Sequence, residues 1–324
     1  MQPILTIGYP TYGRADAVEA AVAAALPRIA GLPIELLVAD DGSPDDTVER
    51  LTRRFGDAGL RLVAGDRNLG WKGNIARLAE NATSEFLLLL SDEDDVADAG
   101  ALADLVTFLS GPRRLSLVTT GKDLVPADPS VLRADNVWEG VHYISGNIFR
   151  ASEVLRWLGE LDRIQEEHDV AELWEIYPHY MMAVGIWLSG EDCAHFTEDV
   201  YSPARKLPMR WRPAHRELGD RELVRTGQEV LGKAHLKSMS SNILQHASLA
   251  TYLDVLEATM PVDADRLRDM RRWQEDRVAK QVDGAMGNFY PELYPAWRRG
   301  IRRRHGIRRR LAAGLRHLLG MPAR

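Results

Sequence analysis

The chain has 324 residues and a formal net charge of −6, and 45% of the residues are hydrophobic and 27% charged, so it is long enough for one large globular domain or two. Its single cysteine, Cys193, excludes an intramolecular disulfide and is typical of a protein from a reducing compartment. The first ten residues do not resemble a secretory signal, and no run approaches the roughly 18 apolar residues of a membrane span, so we expect a cytoplasmic protein.

The predicted elements alternate between short apolar strands and helical segments. Strands are predicted at residues 4–8, 34–39, 60–64 and 86–90. Helices are predicted at residues 15–26, 43–55, 70–81 and 101–109. Pro27 and Gly31 should end the first helix, and Ser43 followed by Pro44 resembles the capped start of the second. Strands that alternate with helices predict an α/β fold with a mostly parallel sheet.

One stretch places four acidic residues directly after an apolar run. Residues 86–90 (FLLLL) are typical of a strand that is buried on both faces, and residues 91–95 read SDEDD. Ligands of open α/β sheets bind at the carboxyl ends of strands, and crowded carboxylates need a compensating positive charge. The stretch therefore predicts a site for Mg²⁺ or Mn²⁺. A solvated acidic loop is the alternative interpretation.

Polar residues also follow the second and third strands. Asp40-Asp41 ends the second strand and Arg67-Asn68 follows the third, so all three groups should lie along one edge of the sheet. A P-loop is excluded, because in Gly65–Lys72 the lysine stands one place late and no Ser or Thr follows it. A Rossmann dinucleotide site is excluded because the first turn reads YPTYGR, without the G-x-G-x-x-G pattern.

Four motifs follow the four strands in order. They are Pro10-Thr11-Tyr12-x-Arg14, then Asp40-Asp41-Gly42-Ser43, then Asn68-x-Gly70 with Asn74, and finally Asp92-Glu93-Asp94-Asp95. With Gly146-Asn147-Ile148-Phe149-Arg150, the set resembles the inverting glycosyltransferase family 2, of the GT-A fold, over about residues 3–205. The resemblance implies that a hexose or deoxysugar moves from a UDP- or dTDP-linked donor to a hydroxyl acceptor, with inversion.

The same resemblance implies a donor site. Asp41 would accept a hydrogen bond from the N3–H of uracil or thymine, and the Asp92 and Asp94 pair would contact the ribose and hold a divalent cation on the diphosphate. A positive charge near the diphosphate would come from Arg67 or Lys72, each of which could equally be a surface side chain. The predicted donor-binding residues are Pro10, Tyr12, Arg14, Asp41, Asn68, Lys72 and Asp92, and the predicted metal ligands are Asp94 and Asp92.

An inverting transfer also needs a base that takes the proton of the acceptor hydroxyl. A buried helix is predicted from Pro178 to Leu188, and His179 stands about where the family carries its catalytic carboxylate, at a helix N-terminus that favours neutral imidazole. His179 is the first candidate, and Asp169 and Glu175 compete with it; a structural capping histidine is the alternative. Glu191-Asp192 follows this helix and is interpreted as a solvated turn.

The remaining chain is predicted to be helical and then strongly basic. Residues 1–205 form the predicted catalytic domain (1–110 the nucleotide half, 111–205 the acceptor half), 206–296 a helical subdomain, and 297–324 a basic tail. The tail contains ten arginines and no acidic residue, and its apolar residues recur at near-helical spacing. It predicts an amphipathic helix on an anionic membrane, and a solvated helix is the alternative. The resemblance to the family implies lipid-linked glycans as the acceptors there. The acidic remainder argues against nucleic acid as the partner.

Two other functions remain open from the sequence. A GT-A-like nucleotidyltransferase would need a glycine-rich basic loop after the first strand, and Gly8–Arg14 fits that pattern poorly. A non-catalytic glycan- or nucleotide-binding module on the same fold would explain the missing catalytic carboxylate. The helices of residues 206–296 could also pack in a homo-oligomer.

Overall fold

The computed structural model describes residues 2–122, 125–141, 143–168, 178–203, 249–250 and 252–289. These residues fall into two compact units, which are described separately. The first contains the described residues up to 203 together with 255–270, and the second contains 249–250, 252–254 and 271–289. The candidates Asp169 and Glu175, the basic tail at 297–324 and most of the predicted subdomain at 206–296 lie outside the described residues.

The first unit contains nine strands among its described residues, and the first, second and fourth of them lead into polar motifs singled out in the sequence. They are β1 (Leu5–Thr11), β2 (Ile34–Asp40), β3 (Leu60–Ala64), β4 (Phe86–Leu89), β5 (Asp95–Val96), β6 (Leu117–Thr120), β7 (Asn147–Arg150), β8 (Cys193–Phe196) and β9 (Tyr201–Ser202). Among the described residues, seven of them form one sheet in the order β3-β2-β1-β4-β7-β6-β8, and β5 pairs with β9. All pairs in the larger sheet are parallel except those of β7, which runs antiparallel to β4 and β6.

Helices cover both faces of this sheet. The labelled helices are α1 (Ala15–Ile29), α2 (Thr47–Phe55), α3 (Gly70–Asn81), α4 (Ala99–Leu109), α5 (Ala134–Gly140), α6 (Ala151–His168), α7 (Pro178–Leu188) and α8 (Ala264–Phe289). Apolar side chains of α1, α2 and α4 share one core with the sheet, and α3 packs on β1 and β2 beside α6. Every residue of β1 and β4 is buried, as expected for a parallel sheet between helices. The predicted α/β fold is confirmed.

Three predicted helix boundaries are wrong, and the smallest difference is at α4, which begins at Ala99 and not at residue 101. Helix α1 continues through Pro27 to Ile29, because a proline so near the helix end removes only one backbone donor. Helix α2 begins at Thr47 and not at Ser43. The Ser43 hydroxyl bonds elsewhere: it accepts the N–H of Gly13 at 2.8 Å and donates to the Asp40 carboxylate. A long-range contact thus overrides the local capping signal.

The predicted bounds of β3, α3 and α7 agree with the structure residue for residue. Within the part of the chain that is described, no helix has both the length and the apolar character required to cross a bilayer.

Candidate functional site

The carboxyl ends of β1, β2 and β4 meet at one edge of the sheet, as the sequence predicts. The backbone N–H of Asp41 donates to the carbonyl of Thr11 at 2.9 Å. The Thr11 hydroxyl in turn donates to Oδ2 of Asp92 at 2.8 Å. Thr11 therefore links the predicted base-binding carboxylate to the predicted metal-binding stretch.

The Asp41 carboxylate is buried, with 2% of the residue exposed, and is held by two donors. Its Oδ1 accepts the backbone N–H of Leu69 at 2.9 Å and Nη1 of Arg77 at 3.0 Å. Arg77 also donates to Oδ1 of Asn74 at 3.0 Å and to the backbone carbonyl of Asp40 at 3.1 Å. Sequence reasoning missed Arg77, although it stands three residues after Asn74 on α3, a spacing that places both on one helix face.

A tight turn after β2 sets the position of Asp41. The Asp40 carboxylate accepts the backbone N–H groups of Gly42 and Ser43 at 3.1 and 2.9 Å. Gly42 has φ +73°, and a Cβ there would lie 2.8 Å from the backbone of Arg67. Only glycine fits this conformation and this approach. Asn68 accepts the N–H of Gly70 at 2.8 Å, so the structure gives it a role at the start of α3.

Asp92 lies in an acidic corner, which we define as residues 91–94. Asp92 is 4% exposed, and its Oδ1 lies 2.8 Å from Nη1 of Arg14, which also pairs with Glu93. Burial raises the pKa of Asp92 to about 6, although Arg14 and the Thr11 hydroxyl act to lower it. The donors around Asp92 therefore do not fully offset the free-energy cost of burying its negative charge.

Asp94 is the most deeply buried member of the acidic corner, with 1% exposed. Its Oδ2 accepts the hydroxyl of Ser145 at 2.6 Å, and Oγ of Ser145 accepts the N–H of Ser91 at 2.8 Å. The hydroxyl of Tyr9 donates to the Asp94 carbonyl at 3.1 Å. Both ends of the corner are thus fixed to the core. Ser145 was not predicted from the sequence.

The acidic corner fits a divalent cation of one particular kind. Asp92 and Asp94 supply oxygen ligands, but the described residues contain no group of three His, Cys, Asp or Glu side chains that could enclose a metal. Mg²⁺ commonly binds one or two carboxylates, with substrate phosphates completing its shell. The two carboxylates therefore suit a cation that arrives with a diphosphate.

The other predicted donor-binding residues differ in their burial and in their contacts. Pro10 is buried near the end of β1, and Tyr12, two residues later, is 45% exposed. Lys72 on α3 forms an ion pair with Asp162 on α6, so its charge is directed toward the neighbouring helix. The structure therefore does not bring Lys72 to the acidic corner.

His179 lies at the start of α7, whose residues are all buried. The histidine is 4% exposed, and its ring centroid lies 4.8 Å from that of Tyr180. The turn at Glu191-Asp192 follows α7, and its side chains are 38% and 41% exposed, in agreement with the solvated turn that the sequence predicts. Nε of Arg113 also donates to Oδ2 of Asp192 at 2.9 Å.

A cavity of about 450 Å³ lies elsewhere in the first unit. Its lining residues are Ser130, Val131, Leu132, Trp187, Asp192, Cys193, Asp265, Arg266 and Asp269. None of these is a predicted site residue. The cavity and the residues predicted from the sequence motifs therefore lie in different parts of the unit. The strand-end carboxylates are the better candidate because their placement matches a sequence motif at each strand end.

The chain was compared with known proteins. A family model described as Glycosyl transferase family 2 matches residues 6–135. No curated protein matches the chain.

Solved structures also resemble the chain. Staphylococcus aureus TarS 1-349 in complex with UDP is 16% identical, with a TM-score of 0.43 over 62% of this chain and 60% of that chain. The mannosyltransferase PcManGT from Pyrobaculum calidifontis, in complex with GDP-Man and Mn²⁺, is 15% identical, with a TM-score of 0.48 over 89% of this chain and 76% of that one. The chain thus spans 60% of the length of the TarS fragment.

The family match extends from β1 to the start of α5. It therefore includes the strand ends that carry Asp41, Asp92 and Asp94. The resemblance seen in the four motifs is confirmed over this part, and the sheet described above confirms the α/β class that the GT-A fold requires. Over residues 6–135, the chain is similar to the proteins that the glycosyl transferase family 2 model describes.

Proposed function

We propose that the protein transfers a sugar from a UDP- or dTDP-linked donor to a hydroxyl acceptor, with inversion and with the help of a divalent cation. One observation carries the proposal: three buried carboxylates, Asp41, Asp92 and Asp94, follow the two strands β2 and β4 that flank β1, within the part that matches the family 2 model. Buried carboxylates that protein donors do not fully satisfy are typical of functional sites.

Asp41 is the proposed reader of the nucleobase. A carboxylate only accepts hydrogen bonds, so it suits the N3–H of uracil or thymine. Arg77 and the N–H of Leu69 fix its orientation through Oδ1. Pro10 and Tyr12, at the end of the adjacent strand, pack around the same base.

Asp92 and Asp94 are the proposed holders of the metal ion. A bound Mg²⁺ or Mn²⁺ would neutralise the charge that develops on the departing diphosphate, a contribution of several kcal/mol. Ser145 orients the Asp94 carboxylate for this role. Arg14, which pairs with Asp92 and Glu93, adds positive charge at the same place.

His179 is the proposed base, with Asp169 and Glu175 as the alternatives in the segment before it. Its place at the start of α7 disfavours imidazolium, so the ring can accept the proton of the acceptor hydroxyl. His179→Ala and Asp169→Asn should be compared in a transfer assay. Full activity of His179→Ala would remove the assignment.

The basic tail at 297–324 is proposed to hold the protein on the inner face of a membrane, near a lipid-linked acceptor. Sedimentation with anionic liposomes tests this by comparing the full chain with a chain that ends at residue 296. Equal sedimentation of the two chains contradicts the proposal.

The proposed function is tested by thermal unfolding with nucleotides. UDP, dTDP, CDP and GDP are each added with Mn²⁺ or with a chelator, to wild type and to Asp41→Asn and Asp94→Asn. A ligand at about 100 times its Kd stabilises the folded state by about 2.7 kcal/mol. We expect a stabilisation of this size with UDP or dTDP, and only when metal is present.

Asp41→Asn should lose the preference among bases, and Asp94→Asn should lose the metal dependence. No stabilisation by any of the four nucleotides would overturn the proposal.

A further inference from the structure

The loop of residues 143–146 lies against the acidic corner and is held there by side chains on both sides. Ser145 bridges Ser91 and Asp94, as described above. Nδ2 of Asn147, which is fully buried, donates to the carbonyls of Tyr143 and Ile144 at 2.6 and 2.9 Å. The backbone of this loop is therefore fixed by buried polar groups.

Gly146 fixes the loop a second time. It has φ +90°, and a Cβ there would lie 2.8 Å from the ring of Tyr201 and 2.9 Å from the hydroxyl oxygen of Thr120. Its N–H donates to the carbonyl of Leu89 at 3.2 Å. Only glycine allows the loop to approach Tyr201 this closely.

The fixed loop presents an exposed aromatic ring. Tyr143 is 41% exposed, and its ring stacks on that of Tyr201 with centroids 6.2 Å apart and planes 29° from parallel. Tyr201 is itself anchored, because it pairs with Val96 in the strand that directly follows the acidic corner. The hydroxyl of Ser145, two residues further along the loop, donates to Asp94, so the loop that carries the ring lies against the acidic corner.

An exposed aromatic residue alone needs no explanation. Tyr143 differs because its backbone is held by Asn147, its ring is backed by Tyr201, and Ser145 in the same loop bonds to Asp94. A side chain fixed in this way loses little conformational entropy when it binds a ligand. The aromatic face is apolar and the adjacent edge is polar, which matches a sugar ring with an apolar C–H face and polar hydroxyl edges.

We propose that Tyr143, backed by Tyr201, is a stacking platform for the apolar C–H face of a pyranose ring. The inference rests on the proposed function, since the platform adjoins the carboxylates assigned to the diphosphate. The pyranose is either the sugar of the donor or a sugar of the acceptor. Both present the same chemistry, and binding measurements separate them.

The donor source is tested by calorimetry with UDP and with UDP-glucose and UDP-N-acetylglucosamine, in Mn²⁺. Tyr143→Ala removes the ring, and Tyr143→Phe keeps the ring without the hydroxyl. If the ring stacks on the donor sugar, Tyr143→Ala binds the better UDP-sugar about fivefold to tenfold more weakly and binds UDP as wild type does. Tyr143→Phe should keep most of the affinity.

The acceptor source is tested by saturation-transfer NMR with methyl pyranosides of glucose, galactose, mannose and N-acetylglucosamine, added to the full chain with and without UDP. If the ring stacks on the acceptor, the wild-type signal is lost in Tyr143→Ala and kept in Tyr143→Phe, while affinity for the UDP-sugars is unchanged. Leu155→Ala, which truncates a 38% exposed side chain on α6, is the matched control and should behave as wild type.

Tyr143→Leu keeps apolar volume but has no aromatic face, and it is measured beside Tyr143→Ala. The platform can then still be tested if Tyr143→Ala fails to fold. The platform is refuted if these two variants match wild type in both sets of measurements. If wild type binds no nucleotide, the proposed function fails, and stacking on a donor sugar fails with it. A pyranoside signal without UDP that is lost in Tyr143→Ala would then still support stacking on an acceptor sugar, and no such signal in wild type would refute the platform.

Discussion

Two carboxylates with little exposed surface lie at opposite ends of the same sheet and differ in their hydrogen-bond partners. At the amino end, Glu35 of β2 accepts hydrogen bonds from the Thr6 hydroxyl at 2.7 Å and from the N–H and hydroxyl of Thr83, both at 3.0 Å, and it pairs with Arg61. At the carboxyl end, Asp92 has Arg14 and the hydroxyl of Thr11. The side chains are similarly inaccessible, with 7% of Glu35 and 5% of Asp92 exposed.

Hydrogen-bond donors, depth of burial and the neighbouring charge of Glu93 together decide the pKa of each carboxylate. Burial acts to raise the pKa of Glu35, but the donors of Thr83, Thr6 and Arg61 outweigh it, and the pKa is lowered. For Asp92, burial outweighs its donors, and the pKa rises to about 6. A fully bonded carboxylate stabilises the fold, whereas an incompletely bonded one costs stability and retains affinity for a cation. The comparison teaches that a carboxylate with little exposed surface can belong to a structural group or to a functional one.

The largest expected effect is on activity and comes from Asp94→Asn. Asparagine keeps an oxygen that can accept the Ser145 hydroxyl, so the fold should be retained, but the charge that holds the metal is lost. Loss of several kcal/mol of metal assistance predicts a fall in kcat of about 100-fold to 1,000-fold. The measurement is transfer or donor hydrolysis in Mn²⁺.

Glu35→Gln is the matched control for that measurement, because it removes one buried carboxylate charge at the other end of the sheet. It should leave kcat within about twofold of wild type. A comparable fall in kcat in Asp94→Asn and Glu35→Gln would contradict the assignment of the metal to the carboxyl end of the sheet.

The next effect is on stability and concerns Asp41, whose Oδ1 accepts the backbone N–H of Leu69 and the guanidinium of Arg77. Arg77→Ala leaves Asp41 buried without its cation, since the side chains are 11% and 3% exposed. Removing one partner of such a pair costs about 3 kcal/mol in the free energy of unfolding. Urea denaturation measures it. The double variant Arg77→Ala/Asp41→Asn should recover part of the loss, and no recovery would contradict the pairing.

Glu35→Gln should lower the free energy of unfolding by about 2 kcal/mol, because its amide NH₂ would face donors that now point at an oxygen. Urea denaturation at neutral pH measures the loss. Nucleotide affinity should stay unchanged, since the amino end of the sheet carries no predicted donor residue. Weaker UDP binding in this variant would argue that the two ends are coupled.

The sequence predicts the strand-end edge because each strand is an apolar run that stops at a polar motif, as at Thr11, Asp40 and Ser91. It does not predict Ser145, which stands 51 residues after its partner Asp94 and belongs to no motif. Nor does it reveal Arg77, whose pairing with Asp41 depends on how α3 packs against β2. Periodicity reports which face of an element is buried, but single polar contacts between distant segments arise only from the three-dimensional packing.

The smallest effect is the pH dependence of stability caused by Asp92. Its folded pKa of about 6 is above the ordinary value of 3.8, so the folded state binds the proton more tightly than the unfolded state does. Ionised Asp92 therefore lowers stability above about pH 6, and the penalty fades as the pH falls from 6 towards 4. Asp92→Asn, which resembles the protonated acid, should be about 1–2 kcal/mol more stable than wild type at pH 7.5 and no more stable at pH 4. Urea denaturation in chelator at both pH values measures the difference.

Glu35→Gln should show the opposite trend, because the pKa of Glu35 is lowered in the folded state. The variant should lose stability at pH 7.5, and this loss should become smaller below the ordinary glutamate pKa of 4.5. Parallel pH profiles for the two variants would contradict the opposite pKa shifts of the two carboxylates.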